Sequence, residues 1–297
     1  MTDIVARAPV SRLRRTIRRG LVGLAAFVVL CAGLLGWGFL IEPDRLVVSH
    51  HELTLARWPA GYPPLRVAAI ADLHAGSPFV DLAKIERIVA ETNAQAPDVI
   101  VLLGDYVIQG VPFGRRLPIE PVAAALGKLH ARLGVFAVLG NHDWWDDGAN
   151  IRRAFERAGI PVLDNEAVRR EVDGQPVWIA GLADAMTRRP SWERALAGTG
   201  SDPVIAITHN PVPYHTMPDR PAILIAGHTH GGQVRLPFIG SLITARGIPN
   251  RWMFGHIKES EHDMFVSTGI GTSIMPVRFL TPPVIDVLDI RPGASTR

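Results

Sequence analysis

Five short apolar runs, each followed at once by residue types that bind metals, constrain this chain more than any other feature. Val67-Ala68-Ala69-Ile70-Ala71 leads into Asp72-Leu73-His74, and Val99-Ile100-Val101-Leu102-Leu103 leads into Gly104-Asp105. Val135-Phe136-Ala137-Val138-Leu139 precedes Gly140-Asn141-His142-Asp143, and Val204-Ile205-Ala206-Ile207-Thr208 precedes His209. The last run, Ala222-Ile223-Leu224-Ile225-Ala226, ends in Gly227-His228-Thr229-His230. A continuous, β-branched run of this length reads as a strand buried on both faces. A side chain just past its carboxyl end stands where open α/β sheets hold their ligands. The expectation is an α/β fold with its chemistry gathered along one sheet edge.

Asp72, His74, Asp105, Asn141, His209, His228 and His230 together offer two carboxylates, one amide oxygen and four imidazoles. That mixed N/O set suits Mn, Fe or Zn rather than Ca or Mg. Seven side chains exceed the needs of one ion. If one carboxylate bridges two divalent ions, each ion receives about four protein ligands and keeps room for water and substrate. Two dications, two aspartates and a bridging hydroxide leave the centre positive, as a phosphate ester requires. A single Gly-Asp or Asp-x-His is ordinary turn chemistry; the ordered repetition at strand ends is what points to metal. The remaining histidines, His50, His51, His130, His215, His256 and His262, are expected at the surface or core edge, with His215 a minor candidate because it lies close to His209.

The ordered pattern D-x-H, G-D, G-N-H-[DE], H and G-H-x-H resembles the calcineurin-like metallophosphoesterases. It runs without a missing ligand from Asp72 to His230. Gly231-Gly232-Gln233-Val234-Arg235-Leu236-Pro237 and Pro276-Val277-Arg278-Phe279 look like the membrane-anchored bacterial phosphodiesterase branch. The resemblance implies a metallo-dependent phosphatase fold, a four-layer αββα sandwich. It assigns Asp72, His74, Asp105 and His230 to a first metal and Asp105, Asn141, His209 and His228 to a second, with Asp105 as the bridge. It makes His142 catalytic, facing the leaving group or the phosphoryl oxygens, with Asp143 as its orienting partner. The expected mechanism is in-line attack on phosphorus by a metal-bridging hydroxide, with His142 assisting departure of the leaving group.

Rival signatures are missing: there is no Gly-x-Ser-x-Gly elbow, no phosphate-binding Gly-x-x-x-x-Gly-Lys-Ser/Thr loop and no His-Glu-x-x-His helix. Gly269-Ile270-Gly271 lacks the third glycine of a dinucleotide fingerprint and reads as a tight turn. One cysteine, Cys31, excludes a zinc finger or a disulfide scaffold, and Leu30 before it spoils a lipoprotein cleavage box.

Gly20 to Ile41 is a 22-residue stretch without a charge, and at about 1.5 Å per residue it spans the roughly 30 Å hydrocarbon core. Arg7, Arg12, Arg14, Arg15, Arg18 and Arg19 stand before it against Asp3 alone. The positive-inside rule therefore keeps residues 1–19 in the cytoplasm as a basic tail and places residues 42–297 outside the cytoplasmic membrane. A cleaved signal peptide would have a shorter apolar region and a small-x-small site, which Trp37 to Pro43 does not offer; the expectation is an uncleaved transmembrane anchor over 20–41. Arg14-Arg15 sits in a poor context for a twin-arginine export signal. Residues 1–41 hold six arginines and one aspartate, so the net charge of +3 becomes −2 for the remainder, with 25 basic and 27 acidic residues. The basicity belongs to the tail, and no nucleic-acid surface is expected.

Residues 42–297 suit one catalytic domain. Strands are expected at Leu46–Leu55, Val168–Val172, Val177–Ala180, Phe265–Thr268 and Val284–Ile290, and helices at Leu82–Thr92, Val122–Leu133 and Ile151–Ala158. The segment Pro237–Met264 carries Phe238, Ile239, Trp252, Met253 and Phe254, which read equally as a satellite core or a lipid-contacting rim. The leading functional reading is a membrane-anchored phosphodiesterase acting on a phospholipid or cell-envelope phosphoester. The alternatives are a UDP-2,3-diacylglucosamine pyrophosphatase of lipid A synthesis, whose substrate is cytoplasmic, and a non-catalytic scaffold, which should have lost ligands that this chain keeps.

Overall fold

Strands form where the apolar runs can be buried on two faces at once, and the computed structural model, which describes residues 10–245 and 247–293, shows both faces covered. In chain order the strands are β1 (Val47–Leu55), β2 (Leu65–Ile70), β3 (Val99–Leu102), β4 (Val135–Ala137), β5 (Glu166–Val172), β6 (Gln175–Gly181), β7 (Val204–Ile207), β8 (Ile223–Ala226), β9 (Arg235–Leu236), β10 (Gly240–Ser241), β11 (Gly255–Glu259), β12 (His262–Val266) and β13 (Val284–Pro292). The helices are α1 (Val10–Gly36), α2 (Leu82–Ala94), α3 (Ile119–Leu126), α4 (Asn141–Asp146), α5 (Gly148–Arg157) and α6 (Trp192–Ala195).

One sheet has the order β1-β13-β2-β3-β4 and the other β11-β12-β8-β7-β6-β5; β9 and β10 form a separate hairpin. β2, β3 and β4 run parallel, as do β6, β7, β8 and β12. Alternate residues serve alternate cores. Val67, Ala69, Val99 and Val101 meet Ile179, Ile205, Ile207, Ile223 and Ile225 between the sheets. Their neighbours Ala68, Ile70, Ile100 and Leu102 pack outward against Ile85 and Ile88 of α2, Val122 and Leu126 of α3, and Phe155 of α5. Ala206, Leu224 and Met264 on the outer face of the second sheet meet Ala195, Tyr214 and Trp252. The result is the expected αββα layering, with a thinner last layer of α6 and short 3-10 turns.

α2 starts where Asp81 accepts the Lys84 backbone N–H at 2.8 Å, an N-cap that satisfies one free donor. Helical spacing from Val122 to Leu133 outlasts its helix: α3 stops at Leu126, and three-residue turns follow, Lys128 N–H to Ala125 and Leu129 N–H to Leu126. Leu129 and Leu133 are nonetheless buried, each in a different core, so the apolar period continued without the helix. β12 begins at His262 and ends at Val266, earlier than the run Phe265–Thr268, and it pairs along its whole length in an antiparallel hairpin with β11.

α1 is long and apolar enough to cross a membrane. Leu21, Val22, Phe27 and Val29 on it stand more than half exposed, and no layer of the fold covers them. It continues through a wider π turn, Trp37–Ile41, and one 3-10 turn, Glu42–Asp44. Arg278 N–H donates to the Gly38 carbonyl at 3.0 Å, and the buried Glu42 carboxylate accepts from Thr281 N–H and from Trp37 Nε1. Residues 1–9 of the basic tail, Asp3 and Arg7 among them, lie outside the described residues. The apolar segment 237–264 divides: Trp252 and Met253 are buried in the outer core, whereas Phe238 and Ile239 at the β9–β10 turn face solvent.

Candidate metal centre

Parallel strands end at one edge, and each end delivers a polar side chain there. Asp72 follows β2, Asp105 follows β3, Asn141 opens α4 after β4, His209 follows β7 and His228 follows β8. The connecting loops are zipped to one another through backbone bonds, Asp72 N–H to Gly104, His74 N–H to Asp105 and Gly227 N–H to His209, all at 2.9–3.0 Å. Asp72, His74, Asp105, His228 and His230 all have positive φ, between 42° and 71°. Such backbone is costly for L-residues, about 1–3 kcal/mol each, and persists where the surroundings over-determine it, typically at functional sites.

Three groups of side chains could each hold an ion: Asp72 with His74 and His230, Asp105 with His209 and His228, and His74 with Asp105 and His142. In the first group the Nε2 atoms of His74 and His230 lie 3.1 Å apart, and Asp72 Oδ1 is 3.8 Å from His230 Nε2. In the second, His209 Nε2 lies 3.1 Å from both Asn141 Oδ1 and His228 Nδ1. Asp105 Oδ2 stands between them, 3.7 Å from His74 Nε2 and 3.3 Å from His209 Nε2. All seven of the anticipated ligand side chains thus converge on two adjoining clusters.

The second ring nitrogens fix which atoms are free. His74 Nδ1 faces the Val107 carbonyl at 3.2 Å and His209 Nδ1 the Leu103 carbonyl at 2.8 Å. Donation to a carbonyl leaves Nε2 with its lone pair, the arrangement of a metal-bound histidine. Burial pushes His74 down to about 4, His228 to about 3 and His230 well below its ordinary value, so these rings are neutral. Burial pushes Asp72 up to about 7, with Asp105 adding to the effect. His209 is lowered by burial, but Asp105 overrides this and lifts it to about 10; the same pairing, against burial, holds Asp105 well below the usual carboxylate range. His74, His228 and His230 thus stand as neutral nitrogen donors beside two buried carboxylates, and divalent cations fit that donor set.

Gly140 shows why small residues line this edge. A Cβ there would lie 2.3 Å from Asp105 Oδ1 and 2.8 Å from the His209 ring.

His142 presents Nε2 4.0 Å from Asp105 Oδ2, with its ring 4.8 Å from His74 and 5.2 Å from Trp145. Burial lowers its pKa, and its buried Nδ1 has no hydrogen-bond partner. The expected pairing of Asp143 with this ring is corrected by the geometry. Asp143 Oδ2 accepts from Asp105 N–H at 2.8 Å and Gly140 N–H at 2.9 Å, and Oδ1 from Tyr106 N–H at 2.8 Å and Val107 N–H at 3.4 Å. Asp143 occupies the third position of α4, where an acid reaches back to the free N–H groups of a helix start. That helix-start signal was present in the sequence, and it outranks the imidazole as a partner.

Sequence alone assigns other residues no role at this site. Arg278 is fully buried and donates to the Gly271, Thr268 and Thr281 carbonyls. Gly271 N–H in turn donates to the Asp72 carbonyl at 2.7 Å, and a Cβ on Gly271 would lie 2.8 Å from that of His74. Gln109 Nε2 donates to the His142 carbonyl at 3.2 Å. Only the aromatic pair Trp144-Trp145 after the Gly-Asn-His-Asp motif could have flagged the half-exposed Trp145 beside His142. The remaining histidines sit elsewhere: His51 faces Asp286, His256 faces Asp263, and the His215 ring packs at a tilt against Trp252.

Residues 65–232 match the profile of the family described as calcineurin-like phosphoesterase. The chain is 29% identical over 284 residues to the metallophosphoesterase YkuE of Bacillus subtilis (strain 168), covering 94% of this chain and 97% of that one. It is 29% identical over 277 residues to the phosphodiesterase YaeI of Escherichia coli (strain K12), covering 92% and 98%. A transmembrane protein with metallophosphoesterase domain from Danio rerio is 29% identical over 269 residues, covering 84% of this chain and 59% of that protein.

Proposed function

The chain belongs to the calcineurin-like phosphoesterase family, and on that premise we propose that it is a dinuclear, metal-dependent phosphodiesterase, anchored in the bacterial cytoplasmic membrane, whose substrate is a phospholipid or another phosphoester of the cell envelope. The observation that carries the two-ion reading is Asp105 Oδ2, placed between two complete donor clusters at 3.7 and 3.3 Å from their nearest imidazole nitrogens. Asp72, His74 and His230 would hold one ion and Asn141, His209 and His228 the other, with Asp105 available to both. When bound, the pair supplies Lewis acidity toward phosphoryl oxygens and a water of lowered pKa.

The protein's own groups do the rest. His228 N–H, 3.0 Å from each oxygen of Asp72, holds that carboxylate in place. Backbone N–H of His142 holds Asp105 Oδ1 at 2.9 Å, which leaves Oδ2 for sharing. His142 Nε2 lies at the rim of the shared cluster and donates a hydrogen bond or proton to the departing oxygen. Asp143 does not act on substrate; it holds the Asp105 loop.

The test is chelator-stripped full-length protein in nanodiscs, reloaded with Mn, Fe or Zn and offered soluble phosphomonoesters, soluble phosphodiesters and lipid phosphodiesters. The expected result is about two ions per chain, activity restored only with metal, and diesters hydrolysed in preference to monoesters. Full activity after stripping, or saturation at one ion, overturns the dinuclear reading. A monoester preference overturns the diester reading.

A further inference from the structure

We infer that the β9–β10 hairpin and the 274–280 loop form a rim that docks into the surface of the same bilayer that α1 crosses, so that substrate reaches the metal centre from that leaflet. Residues Phe238, Ile239, Leu242, Ile243, Ile274 and Leu280 make the rim. All are exposed and apolar: Phe238 is fully exposed at 108%, Ile274 is 74% exposed and Ile239 is 69% exposed. Leu280 closes one side of a groove of about 430 Å³ whose other walls are Arg235 to Gly240.

Three of these side chains sit on strained backbone. Phe238, Ile274 and Leu280 have φ of 67°, 65° and 55°. For bulky and β-branched residues this region is an outlier, and it persists at sites with a use for it. Exposure and strain together give no benefit to a protein surrounded by water. Both are repaid where apolar side chains enter an interface.

The occupant follows from continuity with α1. The Arg278 N–H bond to the Gly38 carbonyl at 3.0 Å ties the loop to the helix, and Gly38 lies inside the apolar stretch that ends at Ile41. Three residues of helix are about 4.5 Å, so a loop bonded to Gly38 lies at the membrane surface whenever α1 is in the membrane. The hairpin is tied to that loop, since Arg235 N–H donates to the Phe279 carbonyl at 2.9 Å. Arg235 stacks on Phe254 at 3.6 Å and has no carboxylate partner among the described residues. A cation on an aromatic ring beside apolar tips suits lipid phosphates above an acyl boundary.

The rim is also tied to the metal loops. Ser241 Oγ donates to the Gly231 carbonyl at 2.8 Å, one residue after His230. Gln233 Oε1 accepts from Ser273 N–H, and Gln233 Nε2 donates to the Met275 carbonyl. The docking geometry rests on the anchor proposed above, and the lipid route rests on the proposed diester chemistry.

The experiment uses the full chain in phosphatidylglycerol and phosphatidylethanolamine vesicles, with Cys31→Ser so that one introduced cysteine carries an environment-sensitive fluorophore. A label at Ile239→Cys is expected to shift to the blue and to be quenched by lipids bearing shallow nitroxides. A control label at Glu171→Cys, near the opposite end of the second sheet, should remain water-like. Phe238→Asp with Ile239→Asp should lower hydrolysis of a vesicle-borne phosphodiester by at least about tenfold, since each side chain is worth more than that in apolar burial, and leave hydrolysis of a soluble phosphodiester unchanged. A water-like Ile239→Cys label overturns the docking. A blue shift that lipid quenchers do not touch means a second copy covers the rim, which overturns it equally. Quenching at Ile239→Cys in a protein that hydrolyses neither diester leaves the docking standing and refutes the substrate reading instead.

Discussion

Replacing Asp143 with asparagine separates two roles that the sequence alone leaves together. The substitution keeps shape and volume but turns one acceptor oxygen into a donor. Each oxygen of Asp143 receives two backbone N–H groups, from Asp105 and Gly140 on one side and from Tyr106 and Val107 on the other. The milder orientation sets the new amide toward Tyr106 and Val107, because the Val107 contact is already long at 3.4 Å. It still loses one short charge-assisted bond, weakens the pair on the other oxygen and points a donor at two donors. At about 1.5–3 kcal/mol for a hydrogen bond to a charged group, with a similar cost for a buried unmet donor, the loss is about 3–5 kcal/mol. For a domain of this size, that lowers Tm by about 6–20 °C. The assay is thermal unfolding in detergent, with metal content and kcat measured on the same samples. The expected outcome is a lower Tm together with lost metal, because the loop that carries Asp105 is what Asp143 holds. An Asp143→Asn protein with native Tm and native metal content but reduced kcat would refute this reasoning and return Asp143 to the His142 imidazole.

His142→Ala should cost at least about a hundredfold in kcat, the usual scale of general acid catalysis, with metal content measured by elemental analysis unchanged; loss of both ions would make His142 a ligand. Asp105→Asn should lower occupancy of both ions together, since an amide bridges poorly, and two ions per chain with full activity would remove Asp105 as the bridge. Paired reporter fusions after Arg297, one active only in the cytoplasm and one only after export, should report an exported carboxyl terminus. A cytoplasmic one would redirect the substrate toward the UDP-2,3-diacylglucosamine pyrophosphatase reading.

The seven ligand-type residues could be read directly from the chain because each follows a run that has one stable use. Four to five consecutive β-branched or small apolar residues can be satisfied only between two covers, and the residue after such a strand emerges at the sheet edge. The helix α1 was legible for a similar reason: 22 uncharged residues leave a long helix with no apolar face hidden by the fold. Where a local pattern had two outlets, it misled. The period through Leu129 and Leu133 looked helical because both leucines are buried, yet they reach two different cores from a turn.

What the chain determines by itself is composition at each strand end, because burial and periodicity are local properties. What only the tertiary structure decides is which of those ends meet and which neighbour each side chain chooses. Asp143 had an imidazole beside it in sequence and four backbone N–H groups beside it in space, and the short bonds to the Asp105 loop prevailed. Arg278 and Glu42 are ordinary charges in the sequence, 236 positions apart. Folding buries both, ties Glu42 at the end of the apolar amino-terminal helix to Thr281, and ties Thr281 through Arg278 to Gly271 and the Asp72 loop. No window of the sequence contains that chain of contacts, since its links are set by sheet order and by the return of β13 between β1 and β2.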